Sequence, residues 1–198
     1  MTERMQDKSL YIKTVGIREW GNKSAKFNRY EATPYEALDK LFITYKIDKG
    51  DRLIDFGCGR GRVIFYIHNR FHIPVTGIEV NDVTFSEALE NKKWYRYNNK
   101  DIRAPIKLES CLAQEYQINP SDNIFYFFNP FKIGIFKAVV NNILASVKEY
   151  ERGVDIILYY PMPEYKKFLN EETPFRLIDK IRIPGAHDNM EKFLIYRI

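Results

Sequence analysis

The residues most able to do chemistry lie in one short stretch, Leu53-Ile54-Asp55-Phe56-Gly57-Cys58-Gly59-Arg60-Gly61-Arg62. Its glycines let the backbone turn tightly and approach a ligand with no side chain in the way. An apolar run at 52–56 predicts a strand before them, and an amphipathic run at 61–70 predicts a helix after them. The unpaired N–H groups at that helix start suit polar or negative ligand atoms. Two carboxylates frame the loop. Asp55 ends the first strand, and Glu79 follows Gly57 by 22 residues, near the end of a second predicted strand. An acid at that strand end can accept both hydroxyls of a ribose. Arg62 stands where a dinucleotide fingerprint wants glycine or alanine, which speaks against NAD or FAD. No Gly-Lys-Ser/Thr follows, so the loop is not a phosphate-binding P-loop.

A second candidate is Phe127-Phe128-Asn129-Pro130-Phe131, at the end of a predicted strand 123–128. It reads either as an Asn-Pro turn closing a buried strand or as a polar group presented at the carboxyl edge of an open sheet, where ligands bind. A third is Lys92 to Lys107, with Lys92, Lys93, Arg96, Lys100, Arg103 and Lys107 against Asp101, interleaved with Trp94, Tyr95 and Tyr97. Cations neutralise phosphates and aromatic faces stack on unpaired bases. The same pattern also fits a solvated helix end whose aromatics pack inward. His68, His72 and His187 make no metal-ligand pattern, and no Ser-His-Asp or Cys-His arrangement is evident.

These groups need a frame. Short apolar runs at 52–56, 75–80, 106–110, 123–128 and 154–160 alternate with amphipathic runs at 61–70, 83–97, 134–149 and 163–170. That alternation predicts a parallel sheet flanked by helices. The runs 175–183 and 191–198, separated by Pro184-Gly185-Ala186-His187-Asp188-Asn189, predict an antiparallel pair. Residues 34–46 predict a helix with Thr33 as cap and Pro34 at its first position. Residues 1–15 carry the weakest local constraint, and fraying is expected there.

At 198 residues the chain suits one domain. Its 45% hydrophobic and 29% charged composition is that of a globular protein, not a disordered tail or a disulfide scaffold. No apolar run approaches the ~18 residues of a spanning helix, and the N-terminus lacks a signal-peptide core. Cys58 and Cys111 read as free thiols in a reducing, cytoplasmic setting. The net charge of +5 lies wholly in the first half: ten basic against seven acidic residues in 1–50, eight against six in 51–100.

With these motifs the sequence resembles the class I S-adenosylmethionine (SAM)-dependent methyltransferases. Asp55-Phe56-Gly57-Cys58-Gly59-Arg60-Gly61 is similar to their first motif and Glu79 to their ribose-binding acid. The resemblance spans about residues 28–198. It implies a Rossmann-like α/β fold: a seven-stranded, mostly parallel sheet whose antiparallel last strand lies beside the fifth, with helices on both faces. One domain, 1–198, is expected, with 1–50 an N-terminal lid and helix extension and 51–198 the core. The resemblance places Gly57, Cys58, Gly59 and Asp55 at the methionine part of SAM and Val80 on the adenine. Leu112 stands where the family usually has an acid for the adenine amine, so backbone groups around Cys111 and Leu112 take that role. Asn28-Arg29-Tyr30-Glu31-Ala32-Thr33-Pro34-Tyr35 looks like a lid element, with Tyr30, Thr33 and Tyr35 near the SAM carboxylate. Asn129-Pro130-Phe131 resembles the motif of methyltransferases that modify planar amino nitrogens, in which the polar side chain and a proline carbonyl accept hydrogen bonds from the target amine. Here Phe131 replaces a second proline and Lys132 an aromatic. The expected function is methyl transfer from SAM to an acceptor that is a nucleic-acid base, a protein side chain or a small molecule. A non-catalytic SAM-binding partner domain and a nicotinamide-dependent oxidoreductase are the rival readings.

Overall fold

The computed structural model describes residues 1–17, 30–186 and 188–198. The lid positions Asn28 and Arg29, and His187, lie outside them. Seven strands form one sheet: β1 (Leu53–Phe56), β2 (Val75–Ile78), β3 (Ile106–Glu109), β4 (Ile124–Phe128), β5 (Asp155–Tyr159), β6 (Arg176–Arg182) and β7 (Lys192–Arg197). Their order is β3-β2-β1-β4-β5-β7-β6. The β1–β2, β1–β4, β2–β3 and β4–β5 pairs are parallel, and β7 runs antiparallel to both β5 and β6. The order reverses between β1 and β4. A sheet of this kind binds ligands in the crevice at such a switch point, beyond the carboxyl ends of its strands. The central strands are buried throughout, which explains their continuous apolar runs.

Among the described residues, six α-helices flank the sheet: α1 (Glu3–Ser9), α2 (Tyr35–Thr44), α3 (Arg62–Phe71), α4 (Asp82–Asn98), α5 (Ile133–Glu149) and α6 (Pro163–Glu172). One core joins α2 and α3 to the sheet, and Tyr95 brings α4 into it. A second core on the opposite face holds α5 and α6, with Phe136 stacked on Tyr165 at a centroid distance of 3.8 Å. At the β6 edge the register skips Ile178, which leaves Leu177 opposite Tyr196 and Asp179 opposite Ile195. No described helix is long and apolar enough to cross a membrane.

Two local expectations are corrected. Residues 1–15 are not frayed. Thr2 caps α1, and buried Asp7 takes hydrogen bonds from Thr14 Oγ1 at 2.6 Å, Tyr35 Oη at 2.8 Å and Val15 N at 3.1 Å. Arg62, 4% exposed, bonds Thr14 Oγ1 at 2.6 Å, the Thr33 carbonyl at 3.1 Å and the Glu3 carboxylate. Thr33 does not cap α2. Its hydroxyl pairs with Tyr126 Oη of β4 at 2.8 Å, and Pro34 itself occupies the cap position.

Candidate active site

The glycine loop leaves β1 at the switch point. Gly57 N and Cys58 N both donate to the Ile78 carbonyl of β2, at 2.9 and 3.0 Å, which fixes the loop across two strand ends. Gly57 has φ +79°, and a Cβ there would lie 2.5 Å from Pro130 Cβ. Gly59 has φ +54°, and a Cβ there would lie 2.2 Å from the Tyr30 ring. Both positions therefore require glycine twice over, for the backbone angle and for the neighbour. Through them the loop touches the Asn129–Pro130 turn on one side and the N-terminal segment on the other.

Glu79 is buried and bridges the same elements. Its Oε2 accepts from Gly59 N at 2.9 Å and its Oε1 from Asn81 N at 2.8 Å. Asn81 in turn caps α4 through Val83 N and Thr84 N. Burial raises the Glu79 pKa, against hydrogen bonds from Asn81, Gly59 and Val80 that lower it. Asp55 sits deeper, between Gly77 and Tyr126 in the sheet register. Burial first, and then the Glu79 charge, push its pKa up to about 8. Among the described residues Asp55 has no ion pair, and its nearest charge is a second acid, Glu79. Burial, with those two charges, also raises the Cys58 thiol well above its usual value, so Cys58 is a packed thiol against Gly77 and not a nucleophile.

The carboxyl ends of β4 and β5 carry matched backbone features. Phe128 and Tyr159 are register partners, and the residues after them, Asn129 and Tyr160, have φ +41° and +52°. Non-glycine residues held in this region concentrate at functional sites. Phe128 packs edge-on against Tyr159 at 4.7 Å, and Tyr160 Oη donates to the Asp188 carboxylate. Burial first raises the Tyr159 pKa, and the hydrogen bond to Asp188 first raises that of Tyr160, with Glu31, Asp188 and Glu191 adding to both. Lys192, whose own pKa is lowered by burial and then by Lys166, Lys180 and Arg182, puts cations beside them, so this lip carries charges of both signs.

The structure thus gathers Asp55, Gly57, Cys58, Gly59, Glu79, Asn129 and Pro130 around one crevice. Val80 is half-buried beyond Glu79, and Cys111 and Leu112 are half-buried where the chain leaves β3. Phe131 is different. Its ring is 3% exposed, edge-on to Phe127, and its carbonyl accepts from Tyr165 Oη, so it anchors the turn from below. The hydroxyls of the three lid residues are engaged inside the protein: Tyr30 with the Thr14 carbonyl, Thr33 with Tyr126 and Tyr35 with Asp7. Only the Tyr30 ring, over Gly59 and 4.9 Å from the Arg60 guanidinium, reaches the loop.

The basic-aromatic stretch divides. Tyr95 is fully buried against His68, and Arg96 is tied to the Ile102 and Ala104 carbonyls. Trp94 and Tyr97 face solvent with Lys93, Lys100, Arg103 and Lys107. His68 bridges Tyr95 Oη and the Ala104 carbonyl, and burial lowers its pKa to about 4. Sequence reasoning used Arg62 only as a mark against dinucleotides and missed its tie to Glu3, Thr14 and Thr33, and it missed Tyr160. An arginine opening a helix with no acid nearby in sequence was the available signal for a distant counter-ion.

Comparison with known proteins agrees with this architecture. A SAM-dependent methyltransferase from Methanosarcina mazei superposes with a TM-score of 0.59 at 13% identity, over 79% of this chain and 96% of that one. The chain has the class I methyltransferase fold. A tRNA (uracil-54, C5)-methyltransferase from Pyrococcus abyssi, in complex with S-adenosyl-L-homocysteine, shares the fold with a TM-score of 0.57 at 13% identity. That match covers 85% of this chain and 39% of the other. In sequence, 63 residues are 33% identical to a protein-lysine N-methyltransferase from Saccharolobus islandicus, 31% of this chain and 39% of that protein. No family model matches the chain.

Proposed function

We propose that the protein transfers a methyl group from SAM to an amino nitrogen, that of a lysine side chain in a protein. The observation that carries this reading is the contact of the Gly57 loop with the Asn129–Pro130 turn. It brings a cofactor cradle and an amine-binding group together at the sheet's switch point. The residues fit the donor: Gly57 is exposed at the strand end with no side chain over its backbone, and the buried Glu79 carboxylate is turned toward the loop at Gly59 N.

On this reading the backbone at Gly57–Gly59 lies along the methionine part, with Asp55 beneath it. Glu79 holds the ribose hydroxyls with the lone pairs left by Gly59 N and Asn81 N. Val80 packs on the adenine, and backbone groups at Cys111 and Leu112 meet its edge. The Tyr30 ring covers the loop, while Thr33 and Tyr35 hold that cover in place. SAM supplies an already activated methyl, so positioning and exclusion of water carry most of the catalysis. A lysine ammonium has no lone pair to give, so its proton would first pass to solvent. Asn129 Oδ1 and the Pro130 carbonyl would then accept the N–H bonds of the neutral amine and aim its lone pair. Phe128, Tyr159 and Tyr160 wall the acceptor side. The Saccharolobus relative supports a lysine acceptor.

The test is calorimetric titration with SAM, followed by transfer of tritium from methyl-labelled SAM to lysine-rich protein, RNA and small-molecule fractions. Glu79→Ala should weaken SAM binding by about tenfold or more, the weight of hydrogen bonds to a charged group. Asn129→Ala should retain SAM binding and lose transfer. Label in protein that survives nuclease supports the lysine assignment, and label in RNA overturns it. SAM binding without transfer to any fraction assigns the non-catalytic role, and absence of SAM binding removes the proposal.

A further inference from the structure

A groove of about 600 Å³ runs between the N-terminal segment and α4, apart from the crevice at the strand ends. Asn91 forms its floor. Its side chain accepts from Lys13 N at 2.9 Å and donates to the carbonyls of Lys13 at 3.2 Å and Arg60 at 3.0 Å. The groove is therefore a built feature, pinned to the back of the glycine loop. Two exposed aromatics line it, Tyr11 at the end of α1 and Trp94 on α4, each about half-exposed.

Tyr11 sits in a conformation that its type disfavours. It follows α1 with φ +57°, its N–H bonding the Lys8 carbonyl while Ile12 N bonds the Asp7 carbonyl. This is the helix-terminating turn in which glycine is the usual residue. A tyrosine is disfavoured there relative to an unstrained position. About half of the side chain stays exposed, so burial offsets that preference only in part. Such departures from local preference are expected at functional positions.

The charges say what the groove would hold. Arg4, Lys8 and Lys13 line it against Glu90, while Asp7 is turned inward to Thr14, Tyr35 and Arg62. The surface continues along α4, where Tyr97 follows Trp94 by three residues on the same side, between exposed Lys93 and Lys100. Lys100 Nζ lies 4.5 Å over the Tyr97 ring. Cations alternating with exposed aromatic faces match a chain that alternates phosphates and planar bases. An acidic peptide would meet the cations but offer nothing to stack.

We propose that this groove docks single-stranded nucleic acid, with bases on Tyr11 and Trp94 and phosphates on Arg4, Lys8 and Lys13. This goes beyond the methyl-transfer reading and needs no methyl donor. Fluorescence anisotropy of a labelled oligouridine, titrated with the full chain in the absence of SAM, tests it. Binding should weaken steeply between about 50 and about 200 mM salt. Trp94→Ala and Tyr11→Gly should each weaken it by about tenfold, as for loss of one stacked base. Tyr11→Gly removes the aromatic while relieving the strained turn, so its melting temperature should equal or exceed that of the parent. A loss of binding in a more stable variant cannot be a folding defect. No binding, binding unchanged in both variants, or equal binding of polyglutamate would each overturn the proposal.

Discussion

Two aspartates are buried to nearly the same depth and do opposite things. Asp7 is 5% exposed and Asp55 is 3% exposed. Asp7 is saturated: Thr14, Val15 and Tyr35 donate to it, and Arg62 lies 3.5 Å away. Asp55 has no such set of donors among the described residues, and burial, then the charge of Glu79, drive its pKa up to about 8. A buried acid with a complete set of donors is a joint of the scaffold. A buried acid beside a second acid, at the switch point of a sheet, is a place where something else is meant to bind. Burial alone separates neither from the other, and the partners do.

The sharpest way to break the comparison is to strip Asp7 of its cation. Arg62→Met should cost about 3–5 kcal/mol, because it leaves buried Asp7 without its countercharge. Urea unfolding measures it, and Asp7→Asn in the same chain should recover part of the loss. Next, Gly59→Ala should cost about 1–3 kcal/mol through backbone strain and collision with Tyr30. It tests whether the N-terminal segment and the loop form one unit, since Tyr30→Ala should relieve the collision and leave the strain.

Asp55→Asn acts through pH. The folded protein keeps a proton on Asp55 up to about pH 8, whereas the unfolded chain releases it near pH 4. Its contribution to stability is complete below the unfolded value and is lost as pH rises through the folded one. The parent should therefore lose stability relative to Asp55→Asn between about pH 4 and about pH 8, read from paired unfolding midpoints. A difference that is flat with pH would remove the raised Asp55 pKa itself, to which burial contributes most and Glu79 second. The smallest effect belongs to an exposed pair. Lys137 and Glu172 are 2.8 Å apart with side chains 39% and 51% exposed, and Lys137→Ala should change stability by less than about 1 kcal/mol.

What could be read from the sequence follows the same division. The loop, its flanking strand and helix, and Glu79 were legible because their constraints are local: glycines at fixed spacing, an apolar run, an acid at a strand end. The central strands were legible because burial on both faces makes them continuously apolar. The N-terminal helix was not, since what holds it is Arg62, 59 positions from Glu3. Thr33 looked like a cap by local rule, but Tyr126 claims its hydroxyl across 93 positions. The stretch after Lys92 was half legible. Composition gave its cations and rings, but only the helix geometry sorts inward Tyr95 from outward Trp94 and Tyr97.

The skipped register at Ile178 has a consequence for how molecules meet in solution. β6 ends the sheet, and an unpaired strand offers its amides to any chain that can lie flat against it. Here the extra residue interrupts the regular spacing of those groups, while exposed Arg176, Lys180 and Arg182 bring like charges together whenever two such edges approach. Leu177 and Ile178, apolar and about half-exposed, sit at that irregularity. The misfit and the like charges together make this edge a poor partner for a second copy of itself.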